Sequence, residues 1–460
     1  HSAKEVRMSY DLVIKGGRLV TADTSYVADV AIQGEQIAAI GANLSGKQEI
    51  DAGGMLVTPG AVDVHVHMEM PIGQFTSCDD FFSGTRAAAF GGTTCIIDFV
   101  ESLPEQTMLE GLADRRAAAD PRVTIDYGLH MTIGPDEIDN LDELPDVYEA
   151  GCASFKLYMA YGFCLTDDQM MRALEAVRDV NGWPVVHAEN WAIIQTLIAR
   201  NLAAGNTEAR WHPRSRPAIM EGEAVGRVID IATLVGTRLH IFHITCDEAV
   251  QRVAAARRRG LPITGETCPQ YLLLTQELYD HPGVEGALPV CAPPIRYADS
   301  QQALWRALGN GDLQLVATDH CPFTRADKET GLHDFSCIPG GVPSVEIRFP
   351  ALYSEGVLKE RITLNQWVDL CCTTPARLAG LQKKGEIVVG HDADLVVFDP
   401  QKEVTIDSES LHENVDWSLY QGKTIQGWPA VTISRGDVIV QDGQFNAEPG
   451  RGRFVKRCYD

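Results

Sequence analysis

The sequence predicts an α/β fold, a (β/α)8 TIM-type barrel with a small β-sandwich domain assembled from both termini. Three observations predict it. Eight short apolar, strand-like runs alternate with helix-period segments through the middle of the chain. The two ends share a different texture, short strands closed by glycine turns. Potential metal-binding side chains, His65, His67, Lys156, His187, His243 and Asp319, stand along or at the ends of the apolar runs. Side chains remote in sequence but all at strand ends converge if the strands close into a barrel, whose site forms at the C-terminal strand ends.

The elements follow in chain order. Residues 1–7 precede Met8 without a strand pattern and are expected to be an appended leader outside the fold. Residues 8–58 should form the first part of the sandwich, with Asp11-Leu-Val-Ile-Lys-Gly-Gly and Val27-Ala-Asp-Val-Ala-Ile-Gln-Gly as strands entering turns. Residues 59–380 should form the barrel, with strands over 61–67, 93–99, 124–130, 152–158, 183–187, 239–243, 262–267 and 314–319. Segments such as Thr166 to Val180 and Asp247 to Arg259 carry the helical period between them. Residues 381–460 return to the terminal texture, as in Ala393-Asp-Leu-Val-Val-Phe-Asp-Pro and Val438-Ile-Val-Gln-Asp-Gly, and should complete the sandwich. An open doubly wound sheet gives the same alternation, but no Gly-x-Gly-x-x-Gly follows an early strand.

Composition narrows the partners. A chain of 460 residues has room for one large domain and a smaller one. Its net charge of −24 argues against nucleic acid, where binding needs a basic face to neutralise phosphates. No apolar run approaches the roughly 20 residues needed to span a bilayer. Nor does the start show an apolar signal-peptide core, so a cytoplasmic protein without a membrane partner is expected. The twelve cysteines are scattered with no Cys-x-x-Cys pair and read as reduced core thiols.

His65 and His67, two apart on a strand, point to the same face and can bind one metal together. Lys156 lies in the apolar Ala153-Ser-Phe-Lys-Leu-Tyr-Met, where burial depresses its pKa toward the neutral amine. Such an amine can react with carbon dioxide to give a carbamate, a bidentate anion able to bridge two cations. An ion pair at the barrel mouth is the simpler alternative. His187 ends Trp183-Pro-Val-Val-His and His243 ends Leu239-His-Ile-Phe-His; each is a candidate ligand or a hydrogen-bonded strand-end histidine. His240, three before His243, is placed on the opposite face. Asp319 ends the eighth run and can both ligate a metal and take a proton from a bound water. Nitrogen and carboxylate donors without thiolate suit zinc, with manganese, iron, cobalt or nickel open in the same geometry. A lysine carbamate, N6-carboxylysine at Lys156, implies two divalent cations, which would lower the pKa of a shared water from about 15.7 toward about 7.

These motifs resemble the cyclic amidohydrolases of the hydantoinase and dihydropyrimidinase family. The resemblance rests on Asp63-Val-His-Val-His, Ser154-Phe-Lys-Leu-Tyr, Val186-His-Ala-Glu-Asn, Phe242-His-Ile-Thr-Cys and Thr318-Asp-His-Cys-Pro-Phe. Trp211-His-Pro-Arg-Ser-Arg-Pro and Gly265-Glu-Thr-Cys-Pro-Gln-Tyr support it, and it covers nearly the whole chain from Tyr10 onward. It implies a binuclear centre bridged by carboxylated Lys156, with His65, His67 and Asp319 on one metal and His187 with His243 on the other. Tyr161 matches a tyrosine that hydrogen-bonds the substrate carbonyl and stabilises the oxyanion. The implied reaction opens a five- or six-membered cyclic diamide, a 5-substituted hydantoin or a dihydropyrimidine, by a metal-bridged hydroxide to give an N-carbamoyl amino acid. A homotetramer or homodimer goes with it.

Ala292 stands where the family carries Ser or Thr, and Gly340 where it carries Asn; both positions meet the ring through the main chain. Glu69 replaces the arginine of dihydroorotases, and its charge is expected to repel a carboxylate substrate. Met68, Met70, Ile72, Phe75 and Phe163 are expected along the loops near the exocyclic group. The alternatives are another cyclic amide hydrolase such as an allantoinase, a mononuclear deaminase without a bridging lysine, and a non-catalytic scaffold that has lost its ligands.

Overall fold

The structure is a computed structural model that describes residues 9–459; residues 1–7, Met8 and Asp460 lie outside the described residues. Eight parallel strands form the central sheet in chain order: β1 (Ala61–Asp63), β2 (Thr93–Val100), β3 (Asp126–Thr132), β4 (Ser154–Tyr158), β5 (Trp183–His187), β6 (Leu239–Ile241), β7 (Ile263–Thr267) and β8 (Leu315–Val316). Each of the eight predicted runs overlaps one of them; β2 and β3 continue past their runs to Val100 and Thr132, while β1, β6 and β8 are shorter than expected. Beyond their ends the first and last strands meet: Asp319 N donates to His65 O at 2.9 Å and His67 N to His320 O at 2.8 Å.

Periodicity dictates the layers. Strand β2 is buried along its whole length, as a strand covered on both faces must be. Helix Asp167–Asp179 buries Met170, Ala173, Leu174 and Val177, a single stripe at helical spacing. Its start is fixed by Thr166, whose N–H donates to the Gln169 side chain at 3.0 Å. Val62, Val64, Cys95, Ile97, Trp183, Val185, Phe242 and Leu315 pack into one cluster, leaving polar side chains for the mouth. Asp63 ties β1 to the segment after β8: its carboxylate accepts from Thr318 N at 3.1 Å and Thr318 Oγ1 at 2.7 Å.

Both termini build the second domain. Nine strands form one sheet, in which Leu56–Pro59 from the N-terminal side pairs antiparallel with Leu395–Phe398 of the C-terminal strand Leu395–Thr405. Leu12, Ile14, Val30, Val57, Leu395, Val397 and Ile433 share its core. After that sheet the chain returns to the barrel, where Val455 N donates to Tyr127 O at 2.8 Å and Arg457 is buried. Asp126, Asp392 and Asp394 converge at the junction, and Lys384 Nζ fills the space between them at 2.8, 2.9 and 2.7 Å. Among the described residues no helix is long and apolar enough to cross a membrane. All twelve cysteines are free, eight of them buried.

Candidate metal centre

All six predicted ligand positions converge at the C-terminal ends of the barrel strands. Ligand atoms of His65, His243 and Asp319 lie within 4.8 Å of one another. Asp319 Oδ1 stands 3.1 Å from His65 Nε2 and 3.1 Å from His67 Nε2. The His187 ring is 4.5 Å from that of His243, and Lys156 Nζ rises between the faces of Phe242, Tyr158 and Phe99 at 4.1, 4.7 and 5.4 Å.

Regular strand alternation does not bring these side chains together. His243 and Asp319 both adopt positive φ, at 40° and 53°, immediately beyond their strands. Left-handed backbone at a residue with a Cβ is uncommon and clusters at functional sites. At His243 it breaks the two-residue alternation, and this overturns the expectation for His240. His240 stays in the interior, with Nε2 3.2 Å from Glu266 Oε2, while the His243 N–H meets Glu266 Oε1 at 3.3 Å. The two histidines are one layer apart rather than on opposite faces.

The imidazoles differ: burial opposes charge on His65, but the Asp319 and Glu266 carboxylates outweigh it and raise its pKa, whereas His67, His187 and His243 are lowered. Burial lowers His67 to about 4 and holds His243 well below its ordinary value. Burial also disfavours charge on Asp319, but the His65 charge and hydrogen bonds from His65 and His67 outweigh it, so the carboxyl sits well below its usual range. Burial draws the Lys156 amine down to about 7, against Asp319, Glu266 and Glu101, so neutral amine is available near neutrality.

Two carboxylates missed by the sequence reading orient the rings. Glu266, in β7, accepts from His65 Nδ1 at 2.6 Å, which leaves Nε2 facing Asp319. Glu189 lies 2.9 Å from His187 Nε2 and is itself paired with Arg216 at 2.5 Å. An acidic residue inside an apolar strand, as in Ile263–Thr267, was the signal for Glu266; nothing in the sequence shows which histidine it meets.

These residues fit divalent cations. The Nδ1 atom of His243 is buried without a hydrogen-bond partner, a costly state that a bound cation would relieve. Zn–N bonds of about 2.0–2.1 Å put tetrahedral ligand atoms about 3.3 Å apart, close to the spacing around Asp319.

Tyr161, at φ 72°, lies with its ring 5.2 Å from His187. Burial raises its phenol above the ordinary value, with Arg216 opposing, so it remains a donor. Ala292 and Gly340 lie on neighbouring segments joined by Gly341 N donating to Val290 O at 3.0 Å. Phe99 stacks on His67 at 4.4 Å and also lines a cavity of about 230 Å³ with Met70, Pro71, Leu103 and Arg115.

Two loop expectations are corrected. Met68 is fully buried against Gly84 and lines no substrate space. Glu69 is held by both Arg122 guanidinium nitrogens at 2.5 and 2.7 Å, so its charge is neutralised locally instead of repelling a ligand.

A barrel with histidines, a buried lysine and an aspartate gathered at its C-terminal mouth defines a barrel hydrolase with a candidate metal centre. The chain belongs to the amidohydrolase family, whose signature matches residues 56–439, and within it to the hydantoinase and dihydropyrimidinase branch of cyclic amidohydrolases. It is 45% identical to the D-hydantoinase of Geobacillus stearothermophilus, over 97% of this chain and 96% of that one. The solved D-hydantoinase of Bacillus sp. AR9 is 43% identical with a TM-score of 0.95, covering 97% of this chain and 99% of its own. The dihydropyrimidinase of Brevibacillus agri NCHU1002 is 41% identical with the same TM-score, covering 97% and 98%.

Proposed function

We propose that this protein opens the ring of 5-substituted hydantoins or dihydropyrimidines, hydrolysing the cyclic amide bond to an N-carbamoyl amino acid. The convergence of His65, His67, Lys156, His187 and His243 on Asp319, with Tyr161 beside them, carries the reading. The names of the relatives support the ring class, and those named for the D enantiomer favour that hand.

His65, His67 and Asp319 would hold one divalent cation, His187 and His243 a second, with Lys156 shared between them as its carbamate. Two such cations, zinc by the donor set, acidify water and polarise the ring carbonyl. Asp319 Oδ1 carries both histidine contacts, which leaves Oδ2 to take the proton of the attacking water. The same carboxyl then returns that proton to the leaving ring nitrogen. Tyr161, still protonated, donates to the oxygen on which charge develops. The backbone at Ala292 and Gly340 meets the ring. The cavity beside Phe99 and Met70 is also lined by Asp98, Glu101, Asp114 and Arg115, so it mixes apolar and charged surface.

We also infer a barrel of residues 59–380 flanked by sandwich segments 8–58 and 381–460, in a cytoplasmic homotetramer or homodimer. Light scattering tests the assembly.

The functional test is a set of initial rates on metal-loaded enzyme with dihydrouracil, hydantoin and both enantiomers of an aryl-substituted hydantoin. Turnover of at least one, fastest for a D-hydantoin, is expected. No turnover of any would overturn the reading.

A further inference from the structure

Lys328 lies in the short helix Arg325–Glu329 and is fully buried. Among the described residues no carboxylate forms an ion pair with it. Its Nζ donates instead to three backbone carbonyls, Val290 O at 2.7 Å and Pro339 O and Gly341 O each at 2.8 Å. Burial draws the amine down to about 7, but three carbonyl acceptors match the three N–H donors that only the ammonium has. Phe323 and Trp417 lie beside it at 5.9 and 5.8 Å. A buried cation without a partner acid is costly unless its donors are all used.

The three carbonyls belong to the two segments that carry Ala292 and Gly340. Other groups bind the same segments from outside. His212 Nε2 meets Cys291 O at 2.8 Å and Tyr271 donates its hydroxyl to Pro293 O at 2.8 Å. The carbonyls of Val290, Cys291, Pro293, Pro339 and Gly341 are therefore all occupied. Those of Ala292 and Gly340, between them, have no partner among the described residues, and neither do their N–H groups. Ala292 and Gly340 are partly exposed, so this ledge of unpaired backbone groups is open to a polar ligand. A cyclic diamide presents N–H donors and C=O acceptors in one plane, the complement of such an edge.

We propose that Lys328 is a positioning residue that sets affinity for the diamide ring. It draws Val290, Pro339 and Gly341 inward, so that the backbone groups of Ala292 and Gly340 are left facing the ring at fixed spacing. This rests on the proposed function for the identity of the ligand; the clamp itself does not. Lys328 touches neither the ring nor the residues around Asp319, and its removal should spare the chemical step.

The test uses full-length, metal-loaded K328M, which removes all three donors at similar volume, and K328Q, which keeps an amide donor and serves if K328M does not fold. KM for hydantoin and for dihydrouracil should rise about tenfold or more in K328M, with kcat within about threefold, the pattern of lost uniform binding. K328Q should fall between K328M and wild type. Hydrogen exchange at the Val290 and Gly341 amides, which donate to Ala287 O and Val290 O at 3.1 and 3.0 Å, should quicken, while amides of Leu239–Ile241 keep their wild-type protection. Unchanged KM in folded K328M would overturn the proposal. So would a fall in kcat alone, which a disturbed metal centre would give. If wild type opens no ring, the functional reading fails, and exchange at Val290 and Gly341 still judges the clamp.

Discussion

Glu266 holds His65 through a 2.6 Å hydrogen bond across 201 residues of sequence, from Nδ1 to Oε1. Its other oxygen takes His240 at 3.2 Å, so one buried carboxylate sets the tautomer of two histidines. A carboxylate behind a ligating histidine fixes ring orientation and raises ligand basicity. E266Q should retain its fold by circular dichroism and bind its divalent cation about 10–100-fold more weakly, by chelator competition with metal analysis. Wild-type retention of the metal would remove Glu266 from this role.

Lys156 Nζ lies against the rings of Phe242, Tyr158 and Phe99, and burial draws its amine down to about 7. Intact mass of the native protein should show the increment of one carbon dioxide, located on the Lys156 peptide. K156A should lose both this increment and activity, and short carboxylic acids should restore part of the activity by taking the place of the carbamate. Activity in K156A without added acid would favour a mononuclear centre.

In the proposed mechanism Tyr161 would donate to the oxygen on which charge develops in the transition state. Y161F should therefore lose about 10²–10³-fold in kcat, the usual effect of removing one oxyanion donor. KM should move little, and the thermal midpoint should stay with wild type. A change confined to KM would make Tyr161 a binding residue only.

Glu413, 3.7 Å from the His320 ring, supplies a pH test read on stability. Burial raises its carboxyl to about 8, with His320 opposing and Glu346 and Asp79 reinforcing. The folded chain then keeps a proton that an unfolded glutamate releases near about 4.3. Such a group contributes its full stability below about 4.3, and the contribution is lost as pH rises toward 8. E413Q mimics the neutral acid at every pH. Its thermal midpoint should match wild type near about pH 4 and exceed it near about pH 9, with a gain of at least about 1 kcal/mol. Parallel midpoints across that range would show an ordinary carboxyl.

Much of this molecule was legible beforehand. Each of the eight runs overlaps one of the eight strands because burial on both faces writes continuous apolar stretches. His187 stands at the end of β5, as its pattern implied. The failures share one cause. His240 was assigned by strand alternation, which the positive φ of His243 breaks. Glu69 was read as a free charge, and its neutraliser, Arg122, is 53 residues away. Met68 lies in the turn after β1, as expected, but is packed into the core instead of lining open space.

What the sequence alone determined is therefore chemical inventory and period: which side chains could bind a cation, and which runs could be barrel strands. Tertiary structure decided the pairings. Glu266 with His65, Glu189 with His187 and Lys328 with three carbonyls each join segments that local pattern treats as independent. The reason is physical. Hydrophobic period follows from the repeat of one element, whereas a buried polar group must find its partner wherever the closed barrel brings one within reach.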